Sequence, residues 1–341
     1  MILPGTMRAA FIRQTGGVER IEVGELPVPR PGPTDVLVRM QASAVNHVDL
    51  FVRSGAYPTH LPFPFVIGRD LVGTVAVVGA GVDRFRHGDR VWCNSLGHHG
   101  RQGAFAEYAV VAAERLYPLP DEVDAEQAVA QLHTAATAWI GLVREARLQA
   151  GETVLVEGAG GGVGTAITQM ASRMGARVIA TASKVDEAWV RACGAEHVID
   201  YRDPDRYDRV RTAAAQGIDV WWDNSGRNDF ARCLPLLAQG ARTVVMSGLG
   251  RAEPTLPVGL LYTRDASLRG FAISNASVGD LAAAARTINR LLSAGHLRAR
   301  IGARLGLAGA ARAHAALAAG KTSGRIVVLP ELAPTVPAPP P

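Results

Sequence analysis

The chain is short of cysteine, of long apolar runs and of blocks of like charge, and each shortage closes a class of function. Its only cysteines in 341 residues are Cys93, Cys193 and Cys233, isolated and odd in number. No CxxC pair occurs, which argues against a disulfide framework and a cysteine-rich zinc site and leaves each as a small buried or half-buried residue. No stretch reaches the roughly 18 uninterrupted apolar residues of a membrane span. The opening Met1-Ile2-Leu3-Pro4-Gly5-Thr6-Met7 lacks a charged region followed by an apolar core, so a cytoplasmic protein without a membrane partner is expected. The formal charge is only +5, and Lys and Arg are scattered among acids, so a nucleic-acid role is not indicated. Nine histidines show no triad-like arrangement with Ser or Cys, which leaves nucleophilic hydrolysis without support.

What is present suits a folded enzyme. A hydrophobic fraction of 48% against 20% charged residues provides ample core, and the length favours two domains. From residue 7 to about 128, short β-like runs at 36–40, 72–78 and 89–92 are separated by Pro, Gly and Asp, as in a β-barrel. Beyond 126 the pattern becomes helical through 143 and then alternates. Strands are predicted at 153–157, 177–181, 197–201, 220–223, 243–247 and 267–271, with helices between them, which implies a parallel sheet. Helical stretches follow at 278–294, 299–306 and 310–319. The apolar strand 325–329 has no partner in the parallel sheet, so its expected place is back in the first domain. Residues 331–341 end in Pro337-Ala338-Pro339-Pro340-Pro341 and read as an extended, disordered tail.

The most informative segment is Val154-Leu155-Val156-Glu157-Gly158-Ala159-Gly160-Gly161-Gly162-Val163-Gly164, an apolar strand driven into a glycine-rich turn that opens a helix. Glycine there lets a pyrophosphate approach the backbone, and the positive end of the helix favours the anion. Gly161, Gly162 and Val163 are therefore candidate cofactor contacts.

Further phrases, in order, carry a resemblance: Ala44-Val45-Asn46-His47-Val48-Asp49, Arg53-Ser54-Gly55-Ala56-Tyr57-Pro58, Pro64-Phe65-Val66-Ile67-Gly68-Arg69-Asp70, Gly88-Asp89-Arg90-Val91, Gly103-Ala104-Phe105-Ala106-Glu107-Tyr108 and Thr134-Ala135-Ala136-Thr137-Ala138. With these the chain resembles the medium-chain dehydrogenase/reductase superfamily, and within it the zinc-free quinone oxidoreductase branch that includes zeta-crystallin. The resemblance implies an α/β fold: a discontinuous GroES-like β-barrel catalytic domain (1–128 and 272–330) around a Rossmann doubly wound parallel-sheet domain (129–271). It also implies a homodimer through the edge strand near Ser267 to Phe271. Zinc-dependent relatives hold the metal with a Cys where this chain has Asn46 and a His where it has Arg69, so no metal is expected. Adjacent His98 and His99 seldom chelate one ion and read as a solvated loop.

Cofactor choice follows from the second strand of the parallel sheet, whose tip shows no acid to bond a ribose 2′-OH. Ser183 and Lys184 suit a 2′-phosphate instead, so NADPH is expected. Asp186 lies near where some relatives have a second phosphate-binding lysine. The resemblance adds Tyr201, Thr137, Asn224, Ser247, Gly248, Phe271 and Arg325 as cofactor contacts. Without a metal, hydride addition to an enone or quinone needs hydrogen-bond donors for the developing oxyanion, and Asn46 and Tyr57 are the catalytic candidates. His47 is expected to bond backbone or pyrophosphate, and Asp49 with Arg53 to form a local ion pair. The expected activity is NADPH-dependent reduction of an activated C=C bond or a quinone, a small-molecule substrate. Alternatives are a reductive cyclase of secondary metabolism acting on a polyene or enone, and a non-enzymatic, crystallin-like NADPH-binding protein.

Overall fold

The strand Asp35–Ala44 shows how alternation builds the first part of the molecule. Val36, Val38 and Met40 face one apolar cluster with Ile67, Leu71, Phe105, Ile326 and Val328, while Leu37 faces another with Met7, Ala9 and Phe11. A period of two thus serves two cores from one strand. Burying each of its large side chains contributes roughly 1.5–3 kcal/mol.

The computed structural model describes residues 3–249, 253–320 and 322–331. Apart from Glu331, the expected disordered tail lies outside the described residues. The chain forms two units, Met1–His133 with Asn289–Pro341, and Thr134–Ile288. These divisions fall at 133/134 and 288/289, against the 128/129 and 271/272 expected from sequence. The second lies inside the helix Val278–Ser293, a continuous element that shows no break in the sequence.

In the first unit a three-stranded sheet runs Glu22–Pro27, Thr6–Ile12, Phe65–Val66. A seven-stranded sheet runs Ile301–Gly306, Arg325–Leu329, Asp35–Ala44, Leu71–Val78, Arg90–Cys93, Tyr117–Pro118, with Tyr108–Ala112 also on Asp35–Ala44. The C-terminal strand returns here, with Val327 opposite Ala44 and Val328 opposite Ser43. One expectation about secondary structure fails in this unit. The segment 299–306, expected to be helical, forms the strand Ile301–Gly306. It pairs in parallel with Arg325–Leu329, and that tertiary pairing overrides the helical leaning of its Ala, Arg and Leu content.

The second unit is a parallel sheet of six strands in the order His197–Asp200, Arg177–Ala182, Thr153–Glu157, Ile218–Asp223, Leu237–Val245, Ser267–Gly270. Thr153–Glu157 is central, and Val154, Leu155 and Val156 are fully buried, as a strand covered on both faces requires. All six strands predicted from sequence are present, with Leu237–Val245 starting earlier than expected.

Glu157 ends the central strand in a closed setting. Trp221 Nε1 donates to its Oε2 at 2.8 Å, and burial with the neighbouring Asp223 carboxylate pushes its pKa up to about 7 from an ordinary 4.5. The protonated acid is what the fold favours. Its contribution is complete below about pH 4.5 and is lost as pH rises through 7. Glu157→Gln, which is neutral at every pH, should melt with the wild type at pH 5. At pH 8 it should melt higher, by an amount on the order of 2–3 kcal/mol. Calorimetry at both values checks this, and an equal shift at both would show that the charge is not responsible.

Candidate functional site

In the second unit every functional candidate outside the helices follows the carboxyl end of a parallel strand. The glycine-rich turn follows Glu157, Ser183 and Lys184 follow Ala182, Tyr201 follows Asp200, Asn224 follows Asp223, Ser247 and Gly248 come just after Val245, and Phe271 follows Gly270. One edge of the sheet therefore collects them, the edge where doubly wound folds bind ligands.

The turn meets the steric demand of a dinucleotide. Gly158 has φ of +73°, a left-handed conformation that favours glycine. A Cβ on Gly164 would stand 2.3 Å from Gly158 O, so the helix Gly162–Arg173 packs on the turn more closely than any side chain permits. The first helical turn, which contains Gly162 and Val163 behind the N-cap Gly161, carries no acid to repel a pyrophosphate. Asn224 Nδ2 donates to Glu157 O at 3.1 Å, which holds Asn224 beside the turn. Ser247 O accepts from Asn228 Nδ2 at 3.3 Å, and Gly248 has φ of +118°. Phe271 meets Trp222 edge-on at 6.1 Å with the Arg144 guanidinium 5.9 Å over its ring. Thr137, in the helix Leu132–Ile140, is fully buried.

The tip of Arg177–Ala182 differs from its sequence reading. A short 3₁₀ turn, Lys184–Asp186, curls back so that Ser183 Oγ donates to Asp186 Oδ2 at 2.6 Å. A Cβ on Gly160 would lie 2.8 Å from the same oxygen. A carboxylate therefore does stand at the tip, brought there by backbone curvature rather than by adjacency in sequence. The next strand brings cations to the same edge: Tyr201 N–H bonds Ala182 O at 3.2 Å, and the guanidiniums of Arg202 and Arg227 lie 4.9 Å and 5.4 Å from the Tyr201 ring. Among the described residues no carboxylate pairs with Lys184, Arg202 or Arg227.

In the first unit the strand Asp35–Ala44 hands over to the helix His47–Ser54 through Asn46. Asp49 Oδ2 accepts the Asn46 N–H at 2.7 Å, which caps the helix, and Gly55 at φ +84° ends it. The Asn46 side chain lies inside a buried hydrogen-bond chain. Its Oδ1 accepts from Arg325 Nη2 at 2.6 Å, and its Nδ2 donates to Asp70 Oδ2 at 2.8 Å and, weakly, to Ala44 O at 3.5 Å. Arg325 Nε also donates to Ala130 O, and Ser43 Oγ to the Asp70 carbonyl. Burial pushes Asp70 up to about 7 and Asp49 up to about 6, opposed by the Asn46 bonds and by Arg69 and Arg325. His47 is held below its ordinary value by burial and by Arg325.

Two sequence expectations change here. Arg53 Nη1 donates to Gly16 O at 3.0 Å, and Asp49 is engaged with Asn46, so the two form no ion pair: the capping bond outcompetes it. His98 is no solvated residue. It is 2% exposed, with its ring 5.4 Å from the half-buried Tyr57, while His99 beside it is exposed. The two rings lie 4.0 Å apart, His99 on the solvent side and His98 beneath it. Among the described residues no group of three His, Cys, Asp or Glu is placed to hold a metal.

Comparison with known proteins agrees with both units. Residues 32–121 match the alcohol dehydrogenase GroES-like domain and residues 162–290 the zinc-binding dehydrogenase domain. The quinone oxidoreductase of Lama guanicoe is 32% identical over 95% of this chain and 97% of its own. Among solved structures, an NAD-dependent alcohol dehydrogenase superposes with a TM-score of 0.87 at 35% identity, over 95% of this chain and 100% of that one. A mycobacterial protein complexed with NADPH gives 0.84 at 31% identity, over 95% and 100%. One neighbour is named for NAD and the other holds NADPH, so the choice between them rests on this chain's own residues. The chain is an oxidoreductase with a nicotinamide-dinucleotide-binding domain and belongs to the medium-chain dehydrogenase/reductase superfamily, in its quinone oxidoreductase branch.

Proposed function

We propose that the protein is an NADPH-dependent, zinc-independent reductase of activated C=C bonds, such as those of enones, or of quinones. The observation that carries this reading is the Arg325–Asn46–Asp70 chain. At the place where the resemblance puts zinc ligands, buried Asn46 and Asp70 and half-buried Arg325 are spent on one another in a nearly charge-balanced hydrogen-bond network.

When bound, a reduced nicotinamide dinucleotide supplies hydride. Addition at the β-carbon of an enone breaks the C=C π bond and moves the electron pair onto the carbonyl oxygen as an enolate. A proton at the α-carbon then completes the saturated ketone. What the protein must provide is a donor for the oxygen and a source for the proton. Tyr57, half-buried, carries a phenol suited to both tasks. The Asn46 N–H now reaching Ala44 O at 3.5 Å is the weakly held donor of its amide. Asp49 and Arg69, buried beside this group, fix its charge and position.

NADPH is favoured over NADH by Lys184 next to Ser183 and by Arg202 and Arg227 at Tyr201, cations suited to a 2′-phosphate. Thr137, Asn224, Ser247, Gly248, Phe271 and Arg325 complete the proposed contacts to the cofactor, with Gly161, Gly162 and Val163 under its pyrophosphate.

Three measurements test this. Purified protein should oxidise NADPH in the presence of cyclohex-2-enone or 9,10-phenanthrenequinone, and Tyr57→Phe should lower kcat on the order of 100-fold at unchanged NADPH affinity; a variant as fast as the wild type removes Tyr57 from the reaction. Lys184→Glu should raise the Kd for NADPH roughly tenfold or more while sparing NADH. Equal loss for both would place the 2′-phosphate elsewhere. Metal analysis of the active protein should find no stoichiometric zinc, and an equimolar amount would overturn the metal-free reading.

A further inference from the structure

The loop from Ser95 to Gln102 holds a group that the reaction above does not use. His98 is 2% exposed, yet neither Nδ1 nor Nε2 has a hydrogen-bond partner. A neutral imidazole brings one N–H and one lone pair, and burying both unmet carries a desolvation cost with no return. Buried polar groups in folded proteins are as a rule satisfied, so an unmet pair beside a candidate site points to a ligand.

The loop is built to keep the ring there. Gly97 and Gly100 take φ of +66° and +78°, and His99, not a glycine, takes +51°. Such a backbone in a non-glycine residue persists only where its surroundings hold it. Here they do: His99 N–H donates to Thr59 Oγ1 and Gly100 N–H to His60 O, both at 3.0 Å, and Gln102 Nε2 to Pro62 O and Pro64 O, both at 3.0 Å. These bonds stitch the loop to the segment that carries Tyr57 and set the two rings 5.4 Å apart. Leu96 N–H donates to Arg69 O at 3.3 Å, which seats the same loop on the buried Arg69. Burial, then Arg69, His99 and Arg101, push the His98 pKa down to about 4, so the ring is neutral at physiological pH and its single N–H is a donor rather than an acid.

We propose that His98 is a substrate-contacting residue, whose imidazole N–H bonds the carbonyl oxygen of the acceptor next to Tyr57 and thereby selects enones and quinones over alkenes that lack such an oxygen. The assignment rests on the reductase reading above. Two donors, the phenol and the imidazole, would then meet the oxygen on which hydride addition builds charge, with the Arg69 cation nearby in a site of low dielectric.

The test uses the full chain, His98→Phe and His98→Gln, with NADPH and cyclohex-2-enone, together with the ¹⁵N imidazole resonances of cofactor-free wild type titrated with the same enone. His98→Phe should lower kcat/KM roughly 30- to 100-fold, His98→Gln, which keeps an N–H, should recover most of it, and the Kd for NADPH should not change in either. The His98 resonance should move on adding enone. A His98→Phe enzyme with wild-type kcat/KM, or a His98 resonance unmoved at enone saturation, overturns the proposal. The resonance decides it alone if His98→Phe fails to fold. It also decides alone if wild-type protein is silent with enone and quinone, a result that would sink the reductase reading: a resonance that still moves would then keep His98 as a carbonyl contact only, and one that does not would sink both.

Discussion

The hydrogen bond from Arg325 to Asn46 is the constraint on which the first unit turns. Arg325 opens the last strand of the chain and Asn46 caps an early helix, so one 2.6 Å contact joins residues 279 positions apart. It also settles the electrostatics. Asp49 and Asp70 are carboxylates with almost no access to water, Arg69 is a guanidinium equally enclosed, and Arg325 is half-buried. Any one of the four alone would be very costly to bury; together they offset one another, and removing one would strand its opposite at a cost of about 3–5 kcal/mol. The discontinuity of the first unit is thus a requirement of charge as well as of strand pairing: without the C-terminal strand, Asn46 loses the partner of its oxygen and Asp70 loses a compensating cation.

A similar opposition organises the cofactor half. The glycine-rich turn is generic, since its shape answers to a pyrophosphate and says nothing of the ribose. Discrimination falls to what lies at the ends of the neighbouring strands. Asp186 reaches the turn and takes the Ser183 hydroxyl, which on its own would favour a ribose with a free 2′-OH. Arg202 and Arg227, gathered over Tyr201, weigh the other way, and the unpaired Lys184 adds to them. Charges at such distances and partial exposure each count for little singly, so the balance rests on several weak contributions rather than on one residue.

Both units were largely legible from residues alone, for a reason that also explains what was not. Central strands such as Thr153–Glu157 announce themselves because burial on both faces forces a continuous apolar run, and the turn after it because only glycine tolerates its geometry. The segment 299–306 was misread as helix because an edge strand is defined by its partner and has little pattern of its own. Asp186 and His98 were misjudged because curvature decided them: a 3₁₀ turn in one case, left-handed residues on both sides of His98, at Gly97, His99 and Gly100, in the other. Periodicity reports which face a residue takes in a regular element. In loops it is silent, and loops carry much of the specificity here.

That division bears on the chemistry. A metal would polarise a carbonyl from a single point, indifferent to the rest of the pocket. On the proposed metal-free reading, a site with Asn46 and Arg69 in place of zinc ligands would have to gather its donors from separate segments: the phenol of Tyr57, an amide already bonded on both ends, and a fixed guanidinium field. Neutral donors stabilise an oxyanion well only if held rigidly and kept from water, since reorienting them during the reaction would forfeit the gain. The stitched loops around Tyr57 and His98, with their left-handed corners and cross-loop hydrogen bonds, supply that rigidity. On that proposed reading, strain in these loops is coupled to the lack of zinc ligands, because the geometry a metal would impose through its coordination would here be imposed by the backbone.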